Sequence, residues 1–156
     1  MRHTLAFLSA LVLLTAACDG ESVFGTAPER VALSAARERW ADAKPFEYQF
    51  NYTRICFCPT LTNVRVTVRD DVVISARVIS TGEELPPAER AQIPTIDGLF
   101  DIIDAAIDQD AHDLRVEYDR SMGFPQSIIL DYKEMIADDE IFYEVTEVMS
   151  TATVGG

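Results

Sequence analysis

The sequence predicts an α+β domain: an antiparallel sheet of about six strands with two helices, built as two helix–strand–strand–strand units. Three observations carry that expectation. Short segments such as "FEYQFNY", "NVRVTVRD" and "LRVEYD" alternate apolar and polar residues with the period of two that a half-buried strand requires, and three more of strand length accompany them. Two longer segments repeat their apolar residues at helical spacing instead. Connections between consecutive strands are short, which forces neighbours to pair antiparallel.

The elements follow in order. "PERVALSAARERWADAK" opens the domain, with Pro28 suited to a first helical turn and Leu33, Ala36, Arg37 and Trp40 on one face. Pro45 stops this helix, because proline cannot continue the backbone ladder. In "FEYQFNY", Phe46, Tyr48, Phe50 and Tyr52 alternate with Glu47, Gln49 and Asn51, as in a strand with one buried face. "NVRVTVRD" repeats the device with Val64, Val66 and Val68 inward. Asp70-Asp71 makes a tight turn, and "VVISARVIS" returns as a third strand ended by Gly82.

"TGEELPPAERAQIPT" holds three prolines and a glycine and is expected to cross the surface as the break between halves. Thr95 then caps a second helix whose Ile96, Leu99, Phe100, Ile103 and Ile107 form a full apolar stripe. Three strands follow: "LRVEYD" with Leu114, Val116 and Tyr118 inward, then "QSIILDY", then "EIFYEVTEV".

The N-terminus lies outside this pattern. Arg2 and His3 precede an apolar run from Leu5 to Leu14, and small residues lead to Cys18, as in a signal peptide. The run is shorter than the roughly 20 residues needed to span a bilayer. "LTAAC" resembles the lipobox of bacterial lipoproteins, with Thr15 where that family usually has Leu. The resemblance implies cleavage after residues 1–17, acylation of the Cys18 sulfur, and acylation of its new amine. Two or more acyl chains make a stable anchor. Residues 18–28 then serve as the lipidated cysteine and a flexible tether, residues 29–150 as a single domain, and residues 151–156 as a disordered tail. The expected location is the cell envelope, anchored to a membrane and facing the periplasm or exterior.

Acidic residues number 26 against 13 Lys and Arg, for a formal charge of −13. Phosphate repulsion makes such a chain a poor partner for nucleic acid. The expected partners are a membrane, through the lipid, and an envelope protein with a basic surface. Asp97, Asp101, Asp104 and Asp108 stripe the second helix with no cation at helical spacing within it, which reads as a solvated face, or as a surface for such a partner or for loosely held divalent cations.

"TRICFCPTL" poses the main chemical question. Cys56 and Cys58 project to the same side of an extended chain, with Phe57 opposite. Their Cα atoms would sit roughly 6.5–7 Å apart in a regular strand, the outer edge of disulfide reach, so a bond requires a bend there. Pro59 ends the ladder, and export favours oxidation. The leading reading is a Cys56–Cys58 disulfide that shapes the end of the first strand. A redox pair and a metal clamp stay open; the clamp would need His112 and a carboxylate to complete a zinc set. "YDRSMGFP" supplies turn residues, and Tyr118, Asp119, Phe124 and Tyr132 are the candidate binding surface around it. The acidic run from Asp131 to Glu140 lacks the glycine of a dedicated calcium loop.

Taken in order, "YQFNY", "CFCP", "VRVTVRDDVV", "TIDGLFDII", "VEYDRSMGFPQSIILD" and "DDE" together resemble the domain-of-unknown-function 6174 family of bacterial lipoproteins and secreted proteins, from about Arg37 to Val148. That resemblance implies no activity. The tandem helix-plus-sheet pattern is also similar to periplasmic inhibitor-like and PepSY-like domains, which implies protein binding. No catalytic residue, metal ligand or cofactor is assigned. The expected role is a non-catalytic binding or structural module, with a thiol- or metal-dependent function through Cys56 and Cys58 as the alternative.

Overall fold

The computed structural model describes residues 27–58, 61–133 and 140–151. The signal segment, Cys18, most of the tether, Pro59, Asp138 and Asp139, and residues 152–156 of the tail lie outside the described residues. Among the described residues the chain runs α1 (Ala27–Ala43), β1 (Glu47–Ile55), β2 (Leu61–Arg69), β3 (Val72–Val78), α2 (Pro87–Arg90), α3 (Ile96–Asp108), β4 (Asp113–Tyr118), β5 (Pro125–Asp131) and β6 (Ile141–Ser150). The strands form one antiparallel sheet in the order β3-β2-β1-β6-β5-β4, so the architecture is α+β.

Two finer expectations need correction. The proline-rich break carries a third helix, α2, because Pro87 presets the first helical turn and Glu89 and Arg90 continue it. Nor are the two halves copies of one rigid unit. β1 pairs antiparallel with β6, and alternation through β5 makes β4 run opposite to β1. The strand order within each half is nevertheless the same, 3-2-1 and 6-5-4. Only a half-turn about an axis crossing the strands relates such triplets, and it would put their helices on opposite faces. Instead α1 and α3 pack on each other over one face.

That face holds the core. Tyr48, Phe50 and Tyr52 of β1, Val64, Val66 and Val68 of β2, and Ile128 and Leu130 of β5 are buried beneath Leu33, Ala36 and Trp40 of α1 and the stripe Ile96, Leu99, Phe100, Ile103 and Ile107 of α3. Phe46 departs from the expected alternation: it precedes β1 and is exposed. Trp40 packs edge-on to Tyr48 at 5.2 Å and to Phe124 at 6.4 Å, tying α1 to both halves of the sheet. Thr95 caps α3, its hydroxyl accepting from the Gly98 amide at 3.1 Å. Asp70 and Asp71 both adopt positive φ, as a two-residue hairpin turn of the primed type demands.

The acidic stripe of α3 meets cations after all, supplied at seven-residue spacing by α1 and the residue that follows it. Arg30 pairs with Asp108 and Asp104, Arg37 with Asp101 at 2.9 Å, and Lys44 with Asp97 at 3.3 Å. The helices are antiparallel, so the ladder runs the length of both. Trp40 Nε1 also donates to Asp97. These carboxylates are partnered within the fold rather than presented bare to solvent.

Candidate functional site: an apolar ledge beside the disulfide

The uncovered face of the sheet is polar through its middle. Arg69 bridges to Glu47, Gln49 donates to Thr67, and Arg65 spans Asn51 and Glu147. Thr151 extends the network by donating to Glu47, so the first residue of the expected tail is tied to β1. One end of the face changes character. Glu47, Gln49, Asn51 and Thr53 are followed on the same side of the chain by Ile55 and then Phe57. Ile55 lies opposite Phe142 of β6, and Phe142 lies opposite Ile129 of β5. The three make an apolar row across three strands.

Phe57 extends that row and is 83 % exposed, while Ile55 is 49 % exposed. The side chains of Ile55, Phe57, Ile129 and Phe142 line a shallow groove of about 350 Å³, with Glu140 at its rim. Single exposed apolar residues are ordinary, whereas a contiguous patch rimmed by polar groups marks a contact surface.

The backbone explains why Phe57 stands out. β1 ends at Ile55, and the next three residues bend. Cys56 and Cys58 are joined as a disulfide with their Cα atoms 5.1 Å apart, closer than a regular strand allows. Closing that small ring leaves the Phe57 side chain at the crest of the bend. While bonded, the sulfurs offer no thiolate for nucleophilic attack or metal ligation. No cluster of three or more His, Cys, Asp or Glu side chains suited to a metal occurs among the described residues. His112 is exposed in the connection between α3 and β4.

The residues expected around "YDRSMGFP" do not form one surface. Phe124 is buried against Trp40 and contributes to the core, which corrects its reading as a surface aromatic. Tyr118 is half-buried, stacked on Phe100 at 6.2 Å; burial pushes its phenol up to about 12, against the opposing pull of Arg37. Tyr132 lies beyond the far end of β5, roughly 20 Å along the strand from Tyr118. Asp119 caps the turn, accepting from the Ser121 amide at 2.9 Å, the Met122 amide and the Ser121 hydroxyl. Burial alone would raise the Asp119 carboxyl, but these donors outweigh it and hold the group below its ordinary range.

Gly123 shows what this turn does. Its φ is +85°, and a Cβ there would sit 2.3 Å from the Ala36 carbonyl oxygen and 2.8 Å from the Arg39 Cβ. The hairpin between β4 and β5 is therefore pressed against the backbone of α1. The motif is a docking joint for the first helix.

Sequence reasoning missed Ile55, Phe57, Ile129 and Phe142 as a group. The available signal was the switch from polar to apolar on the odd-numbered side of the first strand, from Thr53 to Ile55. Neither the curated proteins nor the solved structures contain a match to this chain. Over residues 32–150, which span the strands, the cysteine bend and the docking turn described above, the chain matches, and so belongs to, the family of unknown function DUF6174.

Proposed function

We propose that this chain is a lipid-anchored protein of the bacterial cell envelope whose domain acts as a non-catalytic binding module, with the ledge of Ile55, Phe57, Ile129 and Phe142 as its contact surface. The observation that carries the binding role is the exposure of Phe57 on a bend held by the Cys56–Cys58 bond, continuous with the apolar row. An aromatic ring fixed in advance contacts a partner at low entropic cost. The partner surface that fits is an apolar patch with a cationic margin, since Glu140 rims the groove and the chain is acidic. Anchoring rests on the "LTAAC" segment and Cys18.

Two measurements test this. A photo-crosslinking amino acid in place of Phe57 should capture one discrete protein in living cells, whereas the same probe in place of exposed Val31 should not. Equal capture at both positions, or none at Phe57, removes the ledge as a contact surface. For the anchor, the intact mass of membrane-extracted protein should show a diacylglyceryl-modified chain beginning at Cys18, lost in Cys18→Ser. A soluble chain retaining residues 1–17 refutes the anchor alone.

A further inference from the structure

The two edges of the sheet differ. β3 is covered by the chain that follows it: the Leu85 amide donates to the Ala76 carbonyl at 2.8 Å, the Val78 amide to the Glu83 carbonyl at 2.9 Å, and the Ala76 amide to Glu84 Oε1 at 3.1 Å. β4, the other edge, has no such cover among the described residues. Its core-side residues Leu114, Val116 and Tyr118 are only half-buried, whereas Ile128 and Leu130 beside them are fully buried. A small crevice of about 70 Å³ opens there between Ala32 of α1, Ile103 of α3 and this edge.

We infer that the β4 edge pairs with the β4 edge of a second copy of this chain, antiparallel about a two-fold axis at Val116. The charges of the strand choose both the partner and the register. Centred on Val116, the pairing sets Arg115 opposite Glu117 of the partner subunit, and Glu117 opposite the partner's Arg115. On the core side, Leu114 lies opposite the partner's Tyr118. Shifting the centre to Arg115 would oppose two arginines, and shifting it to Glu117 would oppose two glutamates; like charges directly opposite are destabilising. A slip by one residue in the pairing sum mixes the apolar and polar faces, which a sheet buried on one side forbids. Centring on Leu114 would set Arg115 opposite the partner's Asp113 but leave Val116, Glu117 and Tyr118 with no β4 residue of the partner opposite them, so the Val116 register pairs the strand most fully. It also keeps both helix layers on the same face, because the axis is normal to the sheet, and it extends the sheet to twelve strands. The two Asp113–Asp119 positions meet only where the ladder ends, and each carboxylate is already engaged, Asp113 with Arg115 and Asp119 with the turn amides.

The test is sedimentation velocity on the full chain at roughly 0.15 M salt, which screens the repulsion between two acidic molecules. Wild type should dimerise reversibly. Arg115→Glu should weaken the dimer by about thirtyfold, since two favourable pairs become two repulsive ones. The exchange Arg115→Glu with Glu117→Arg should restore it. On a Cys18→Ala background, Val116→Cys should form a disulfide-linked dimer on oxidation, and Arg115→Cys alone should not. A chain that stays monomeric up to about 100 µM overturns the inference. So does a dimer indifferent to Arg115→Glu, or one in which Val116→Cys fails to cross-link.

Discussion

Replacing Gly123 by alanine probes the joint between the β4–β5 hairpin and α1. Two costs combine there. An L residue at φ +85° loses about 1 kcal/mol relative to glycine. The added methyl would also lie 2.3 Å from the Ala36 carbonyl oxygen and 3.0 Å from the Trp40 amide nitrogen, both backbone atoms that cannot rotate away. Overpacking of that kind costs about 2 kcal/mol as α1 is pushed off the sheet. The total is roughly 3 kcal/mol, or about 12 °C in Tm for a domain of this size. Gly82 provides the control, because its φ is +72° but nothing lies within 4 Å of its would-be Cβ. Gly82→Ala should therefore cost only the backbone share, about 1 kcal/mol. Urea denaturation of both variants reads the difference directly. Equal losses for the two, within about 0.5 kcal/mol, would show that the hairpin does not bear on α1.

Four further outcomes follow from the same geometry. Arg37→Met should cost about 1 kcal/mol, since Arg37 pairs with Asp101 and lies over the Phe100 ring at 5.6 Å; the loss should shrink in 1 M salt by about the small ionic share alone. Tyr52→Phe should be neutral or stabilising by up to about 1 kcal/mol, as the buried Tyr52 hydroxyl has no hydrogen-bond partner among the described residues; a loss beyond that reveals one. Burial raises the phenols of Tyr48, Tyr52 and Tyr143 above the ordinary value of 10.0, and that of Tyr118 to about 12. The unfolded chain thus loses these protons first, so stability is intact below pH 10 and falls as pH rises from there toward the folded values. Far-UV circular dichroism should show unfolding in that window, and stability flat from pH 9 to 12 contradicts it. Replacing both Cys56 and Cys58 by serine should lower stability by less than about 2 kcal/mol, because the closed ring is short, while increasing amide exchange of Phe57.

The sequence-level pattern located strands and helices wherever one chemical type alternated with another. β1, β2 and α3 were legible for that reason: Tyr48, Phe50 and Tyr52, then Val64, Val66 and Val68, then Ile96 to Ile107 each repeat with one period. α2 was obscured by Pro86 and Pro87, which signal a break as readily as a helix start. The cations of the α1–α3 ladder were visible as Arg30, Arg37 and Lys44, yet pairing across 78 residues depends on how two helices lie, which no local period encodes. Direction was hidden likewise: the run of strands is the same in each half, but only the β1–β6 pairing reveals that the second triplet is reversed. The ledge escaped notice because Ile129 and Phe142 sit within continuous apolar stretches, where alternation gives no sign of which face each takes.

The placement of β1 beside β6 has a consequence for synthesis. The seam at the middle of the sheet joins the opening strand to the closing one, Tyr52 against Val145. While the last ten residues of that strand remain inside the ribosomal tunnel, the emerged polypeptide can form hairpins but cannot zip its two halves together. A truncation that removes Ile141–Ser150 should thus leave a sticky, proteolysis-prone chain rather than a slightly smaller version of the same molecule.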